Sequence, residues 1–176
     1  MISAMSRGAR YFNEPRYARA AQSAADFLLE QCREEDGRLL HVFKDGRAKL
    51  NAYLDDYTCL IDGLVELYQT IFDARYLDEA KQLATRMIDR CGDAEGSGFF
   101  YTSDDHETLI ARNKDSSDDA TPSGNAMAVT ALLKLARLTG DTDLELRAVE
   151  TLALLSGQLK QHSMAGGQSF LALDFL

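Results

Sequence analysis

The chain has 176 residues, 45% of them hydrophobic, and a formal net charge of -9 from 19 Lys and Arg against 28 Asp and Glu. This length and apolar share support one folded core and exclude wholesale disorder, while the acidic balance repels phosphate backbones, so no nucleic acid is expected as a partner. No apolar run reaches the roughly 20 residues of a bilayer span, and the first residues lack the basic-then-apolar order of a secretory leader, so no membrane partner and a cytoplasmic location are expected.

The predicted elements open with an apolar helix over residues 2–12, ended by the breaker Asn13-Glu14-Pro15. A second helix follows with Tyr17, Ala21, Ala25, Leu28 and Cys32, whose offsets of 0, 4, 8, 11 and 15 trace one apolar stripe. Gly37 and the β-prone run 39–43 predict a short strand or extended connector. The pattern then returns. A helix over 52–72 and the breaker Asp73-Ala74 precede the same stripe, 59 residues on, as Tyr76, Ala80, Ala84, Met87 and Cys91. A long connector over 92–121 contains a second extended run, Phe99-Phe100-Tyr101. The third copy has a helix over 126–139, the turn Gly140-Asp141, and the stripe, another 68 residues on, as Leu144, Ala148, Leu152, Leu155 and Leu159. Residues 169–176 read as the start of a fourth copy.

Each copy is a helical hairpin, and units that cannot bury their own apolar face must stack on neighbours. The first helix of the second copy is apolar nearly all round and is expected inside; its partner interrupts its stripe with Arg75, Asp78, Glu79, Lys81 and Gln82 and is expected outside. Residue 1 falls within an inner helix and residue 176 within another, so residues 1–176 are expected to be an excerpt from a longer array. Inner apolar surface exposed in this way would allow a homodimer.

The segments Asn51-Ala52-Tyr53-Leu54-Asp55-Asp56-Tyr57, Gly98-Phe99-Phe100-Tyr101-Thr102 and Asp118-Asp119-Ala120-Thr121-Pro122-Ser123-Gly124-Asn125 are the most distinctive in the chain. With Asp36-Gly37-Arg38-Leu39-Leu40 and Asp45-Gly46-Arg47-Ala48-Lys49, they resemble the helical portion of the YyaL-type family, also called spermatogenesis-associated thioredoxin-domain proteins. The likeness covers nearly the whole chain, and the joint occurrence of LDDY and PSGN carries it. The resemblance implies an all-α domain whose three hairpins form part of an (α/α)6 toroid of the six-hairpin glycosidase-like type, with short β-strands in the connectors. That architecture is shared with N-acylglucosamine 2-epimerases and several glycoside hydrolases. The family's thioredoxin-like domain has no counterpart here, since no Cys-x-x-Cys and no βαβ pattern occurs. It and the rest of the toroid are the partners the resemblance implies.

Asp55 and Asp56 are the candidate catalytic pair, placed where an inner helix meets the mouth of a toroid's hollow. Paired carboxylates perform glycoside chemistry, but adjacent helical residues diverge by about 100°, so at most one is expected to act. The plain alternative is that they cap the helix and favour its dipole. Tyr57, Tyr101, His106, Asp118, Ser123 and Asn125 are the candidate ligand-binding residues: polar groups clustered before inner helices, beside aromatic platforms suited to a carbohydrate. Ser123 or Thr121 could equally be a helix cap. His106 could act in acid–base chemistry or be an exposed loop residue, as could His41 and His162. Asp104, Asp105, Asp115, Asp118 and Asp119 could gather a cation but read as a solvated loop, and no metal is expected. The cysteines Cys32, Cys59 and Cys91 show no ligand or disulfide spacing and read as small buried hydrophobes. No phosphate loop is present, so no cofactor is expected. The expected function is that of a piece of a domain that binds or processes a carbohydrate or sugar-like small molecule, the piece alone being inactive. The alternative is a non-catalytic helical scaffold that docks a protein.

Overall fold

The computed structural model describes residues 1–107 and 110–176. In chain order, helices α1 (Ile2–Phe12) and α2 (Pro15–Gln31) form the first hairpin, strands β1 (Leu40–Lys44) and β2 (Arg47–Asn51) a β-hairpin, α3 (Leu54–Ile71) and α4 (Ala74–Cys91) the second helical hairpin. Helices α5 (Gly124–Thr139) and α6 (Thr142–Gln161) form the third, and α7 (Gly167–Phe175) follows a short 3-10 turn.

All three hairpins reverse by one device. The inner helix stops at a left-handed residue, Asn13 (φ 49°), Phe72 (φ 58°) or Gly140 (φ 74°), and the next residue caps the outer helix with its carboxylate. Glu14 accepts from the Arg16 amide, Asp73 from Arg75, and Asp141 from Asp143 and Leu144. Reversal within two residues forces antiparallel packing of the helices it joins. Successive inner helices therefore run parallel, and α1, α3, α5 and α7 lie side by side in one layer, with the outer helices behind them.

The predicted stripe is what holds the layers together. Tyr76, Ala80, Ala84, Met87 and Cys91 of α4 are all buried against α3, and Ala21, Ala25, Ala148, Leu152 and Leu155 do the same in their copies. From α3 and α5, Tyr57, Ile61, Leu64, Leu67, Leu132 and Leu135 fill the core, each such side chain contributing roughly 1.5–3 kcal/mol by leaving water. Burial almost all round is confirmed for α3, with one departure: Asp62 and Glu66 are buried among its apolar residues.

The connectors depart from expectation in two ways. The first holds a strand pair, not a lone strand, because Asp45 (φ 55°) and Gly46 (φ 74°) both adopt the positive φ of a tight hairpin turn. In the second, Phe99 makes only an isolated bridge with Gly92. The reason is Asn125, whose Oδ1 accepts from the Phe99 amide at 2.8 Å while its Nδ2 donates to the Phe99 carbonyl at 2.9 Å. One side chain takes the place of a partner strand. Cys59 also differs: Cys32 and Cys91 are buried, but Cys59 is exposed.

Candidate functional site

The long connectors gather at the end of the molecule where α3 and α5 begin, and this rim carries the candidate site. Asp56 does cap α3, its Oδ2 accepting from the Tyr53 amide at 2.9 Å, and the same oxygen lies 2.8 Å from His41 Nδ1 on β1. Asp55 is arranged differently. Its Oδ1 is buried without a hydrogen-bond partner among the described residues and rests on Gly124, where an added Cβ would lie 2.5 Å away. Loss of solvation, then the charges of Asp115 and Asp56, push the Asp55 carboxyl above the usual carboxylate range. Both aspartates border a cavity of about 540 Å³, with His41, Cys59, Phe27 and Phe43 among its other walls.

Beside this cavity the rings converge. Tyr53 and Tyr101 stack at 4.9 Å between centroids with planes 19° apart. His41 meets Tyr53 edge-on at 5.1 Å, and His106 lies 5.0 Å from it on another side. The Leu54 amide donates to the Tyr101 carbonyl at 2.9 Å, which fixes the second connector to the start of α3. His106 Nδ1 accepts from the Ser103 amide at 3.1 Å; its Nε2 is buried and has no hydrogen-bond partner among the described residues. Desolvation, then the charges of Asp55 and Asp56, raise the Tyr101 phenol above its ordinary value.

The remaining candidates serve the fold. Tyr57 is 2% exposed and its hydroxyl accepts from the Leu39 amide at 3.1 Å, so it offers no surface to a ligand. Ser123 caps α5, its Oγ accepting from the Ala126 amide. Asn125 is 1% exposed and spends its amide on Phe99 and on the Asp115 carbonyl. Asp118 accepts from the Ser123 amide with one oxygen and from the Gln168 amide with the other, tying the start of α5 to α7. The rim thus unites Asp55, Asp56, Tyr101 and His106, and not the other four. The acidic residues of the second connector are matched with cations: Asp104 and Asp105 both lie within 4 Å of Arg90, at 3.2 and 3.9 Å, and Asp105 also pairs with Arg38 at 2.8 Å. Among the described residues no group of three His, Cys, Asp or Glu is placed to hold a metal ion. Among them, too, no helix is long and apolar enough to cross a membrane.

Of two further rim residues, His41 reads from sequence as an acid–base or an exposed histidine without being chosen, and Tyr53 is not weighed. Tyr53 reads there as one more apolar residue of an inner helix, and His41 as part of a β-prone run. The available signal was an aromatic at a helix-cap position, where Ser, Thr, Asp and Asn are the usual choices.

No family model matches the chain. It is 31% identical to spermatogenesis-associated protein 20 of Rattus norvegicus over 114 residues, which is 64% of this chain and 14% of the rat protein. The human protein of the same name is 29% identical over the same shares, and an uncharacterized protein of Caenorhabditis elegans is 25% identical over 76% of this chain and 19% of its own length. The chain therefore spans well under a quarter of the length of these relatives. Among solved structures, the cellobiose 2-epimerase of Bacillus thermoamylovorans superposes with a TM-score of 0.70 at 17% identity, over 87% of this chain and 41% of that one. An unsaturated glucuronyl hydrolase specific for heparin gives 0.67 at 17% identity, over 88% and 44%. Sequence and fold point the same way: the chain is similar to a segment of spermatogenesis-associated protein 20, and its fold is that of part of a six-hairpin glycosidase-like α/α toroid.

Proposed function

We propose that the rim binds a carbohydrate or sugar-like small molecule, with Asp55 as its proton donor, as part of an (α/α) toroid larger than this chain. The observation that carries this reading is the apposition of the Tyr53–Tyr101 stack to a desolvated, unpartnered carboxyl at the edge of a cavity. Sugars present apolar faces to aromatic rings and hydroxyls to carboxylates and imidazoles. Burial shifts the Asp55 carboxyl towards its protonated form, the direction a general acid needs to deliver a proton to a glycosidic or ring oxygen, while Asp56, next to His41, is placed as the opposing carboxylate. Two fold neighbours, by their names, act on cellobiose and on heparin, which supports the ligand class but names no substrate for this chain.

The test is calorimetric or NMR titration of the chain with a panel of mono- and disaccharides. The expected result is saturable binding with Kd of about 1–10 mM, abolished by Tyr53→Ala and altered in its pH dependence by Asp55→Asn. Silence across the panel at several tens of millimolar sinks the proposal. A second reading, a non-catalytic scaffold that docks a protein, draws on Leu171 and Leu173 of α7, both more than half exposed. It predicts sugar silence together with partner binding lost on Leu171→Asp.

A further inference from the structure

At the far end of the inner helices from the rim, α1, α3 and α5 bring Arg7, Arg10, Lys134 and Arg137 around Glu66, in a chain whose net charge is -9. These side chains line a cleft of about 310 Å³. Glu66 is 4% exposed and receives Arg7 Nη2 at 2.8 Å, Arg10 Nη2 at 2.5 Å and Lys134 Nζ at 2.8 Å. Lys134 also donates to Asp62 Oδ1 at 2.6 Å, and Ser3 Oγ to Asp62 Oδ2 at 2.7 Å.

The charges do not cancel. Among the described residues Arg7, Arg10 and Lys134 pair with Asp62 and Glu66 alone, three cations on two carboxylates, so one positive charge is left over. The excess sits on the groups that water reaches: the Arg7 side chain is 50% exposed and that of Arg10 33%. Each guanidinium carries five N–H donors and spends only part of them on Glu66, which leaves donor edges for the cleft. Arg137, at the cleft's edge, donates to the Leu176 carbonyl at 2.7 Å and lies 3.3 Å from Glu145.

We propose that this cleft is a binding site for one small-molecule oxyanion, a carboxylate or phosphoryl group, received by the paired forks of Arg7 and Arg10 with Lys134 behind them. Planar guanidinium edges match the spacing of carboxylate and phosphate oxygens, which a lone ammonium does not. Glu66 is the fixed counter-ion that spaces the cations: burial alone would raise its pKa, but the hydrogen bonds from Arg7, Lys134 and Arg10 hold it at about 2, so it stays charged at any working pH. A concave cleft of this size suits a small molecule, and the strongly acidic remainder of the chain opposes a polyanion. Along α3, Glu66 lies eleven residues beyond Asp55, about 16 Å, so this site is separate from the rim and can be tested without it.

The experiment is isothermal titration of the chain, at low ionic strength, with inorganic phosphate and separately with acetate. Saturable single-site binding is expected, weakened about tenfold by Arg7→Gln and again by Arg10→Gln, the loss of one charge-assisted hydrogen bond each, and unchanged by Asp55→Asn. Phosphate preferred over acetate identifies a phosphoryl ligand, and equal affinity a carboxylate. Because Arg7 is half exposed, its variant retains the fold, as circular dichroism will verify; Arg7→Lys, which keeps the charge but loses the fork, should bind with intermediate affinity. No saturable binding of either anion overturns the proposal. So does binding that survives the double Arg7→Gln, Arg10→Gln change.

Discussion

Asp55 at the front of α3 and Glu66 towards its rear are carboxyls on one inner helix, yet their surroundings are opposite. Glu66 is enclosed by three cations and held charged, with its pKa at about 2; Asp55 has a buried oxygen with no partner among the described residues and a pKa moved upward by lost solvation. The first arrangement stabilises the folded state, and the second costs stability. Unpartnered polar atoms that persist under such a penalty are where chemistry is to be sought.

The comparison breaks most visibly if its charged end is disturbed. Lys134→Met removes the cation that Asp62 holds at 2.6 Å in a buried setting, though Glu66 keeps Arg7 and Arg10, and should cost about 3–5 kcal/mol, read from urea denaturation. Next in size is Asn125→Ala, which strands the Phe99 amide and carbonyl and the Asp115 carbonyl; a loss of about 2–3 kcal/mol is expected, with faster hydrogen exchange at the Phe99 amide.

Acid titration sharpens the contrast by sign. The pKa of Glu66 is depressed on folding, so its contribution is complete above the ordinary value of 4.5 and is lost as pH falls towards about 2. Glu66→Gln should flatten that limb of the stability curve. Asp55 runs the other way: its raised pKa favours folding only in acid, and that advantage disappears as pH rises through the folded value. The smallest effect follows from it. Asp55→Asn should stabilise the protein at neutral pH by about 1 kcal/mol while harming whatever the rim does, a gain visible as a higher Tm. A lower Tm would show that the carboxylate is structural after all.

Much of the architecture is legible in the chain because a stripe at helical spacing has only one way to be buried, and Tyr76 to Cys91 are buried as that spacing demands. The extent of α3 and the position of the turns follow for the same reason. What was not legible depends on contacts between segments far apart in sequence. Asn125 reads as a ligand-recognising amide until its partner, Phe99, is known to lie against it. Asp118 reads likewise until its amide partners appear, whereas the cap that Ser123 forms is one of the two readings its place before an inner helix allowed. The β-hairpin is a different case, since Asp45-Gly46 is a strong turn signal between two strand-prone runs and was readable in principle. Asp62 and Glu66 were readable too: ionisable residues four apart on a helix otherwise apolar all round require cations from elsewhere, and Arg7 and Arg10 of the preceding inner helix supply them to Glu66, Lys134 of the following one to both.

The two-residue reversals at 13–14, 72–73 and 140–141 have a consequence for how such a chain can diversify. A bend made of one left-handed residue and one acidic cap has no slack, so an insertion there would uncouple two helices at once. Every tolerated lengthening must enter at the opposite edge, among the connectors that hold Tyr53, Tyr101 and His106. Lineages sharing this scaffold should therefore vary their ligands along one edge and keep the other as an unchanging baseplate.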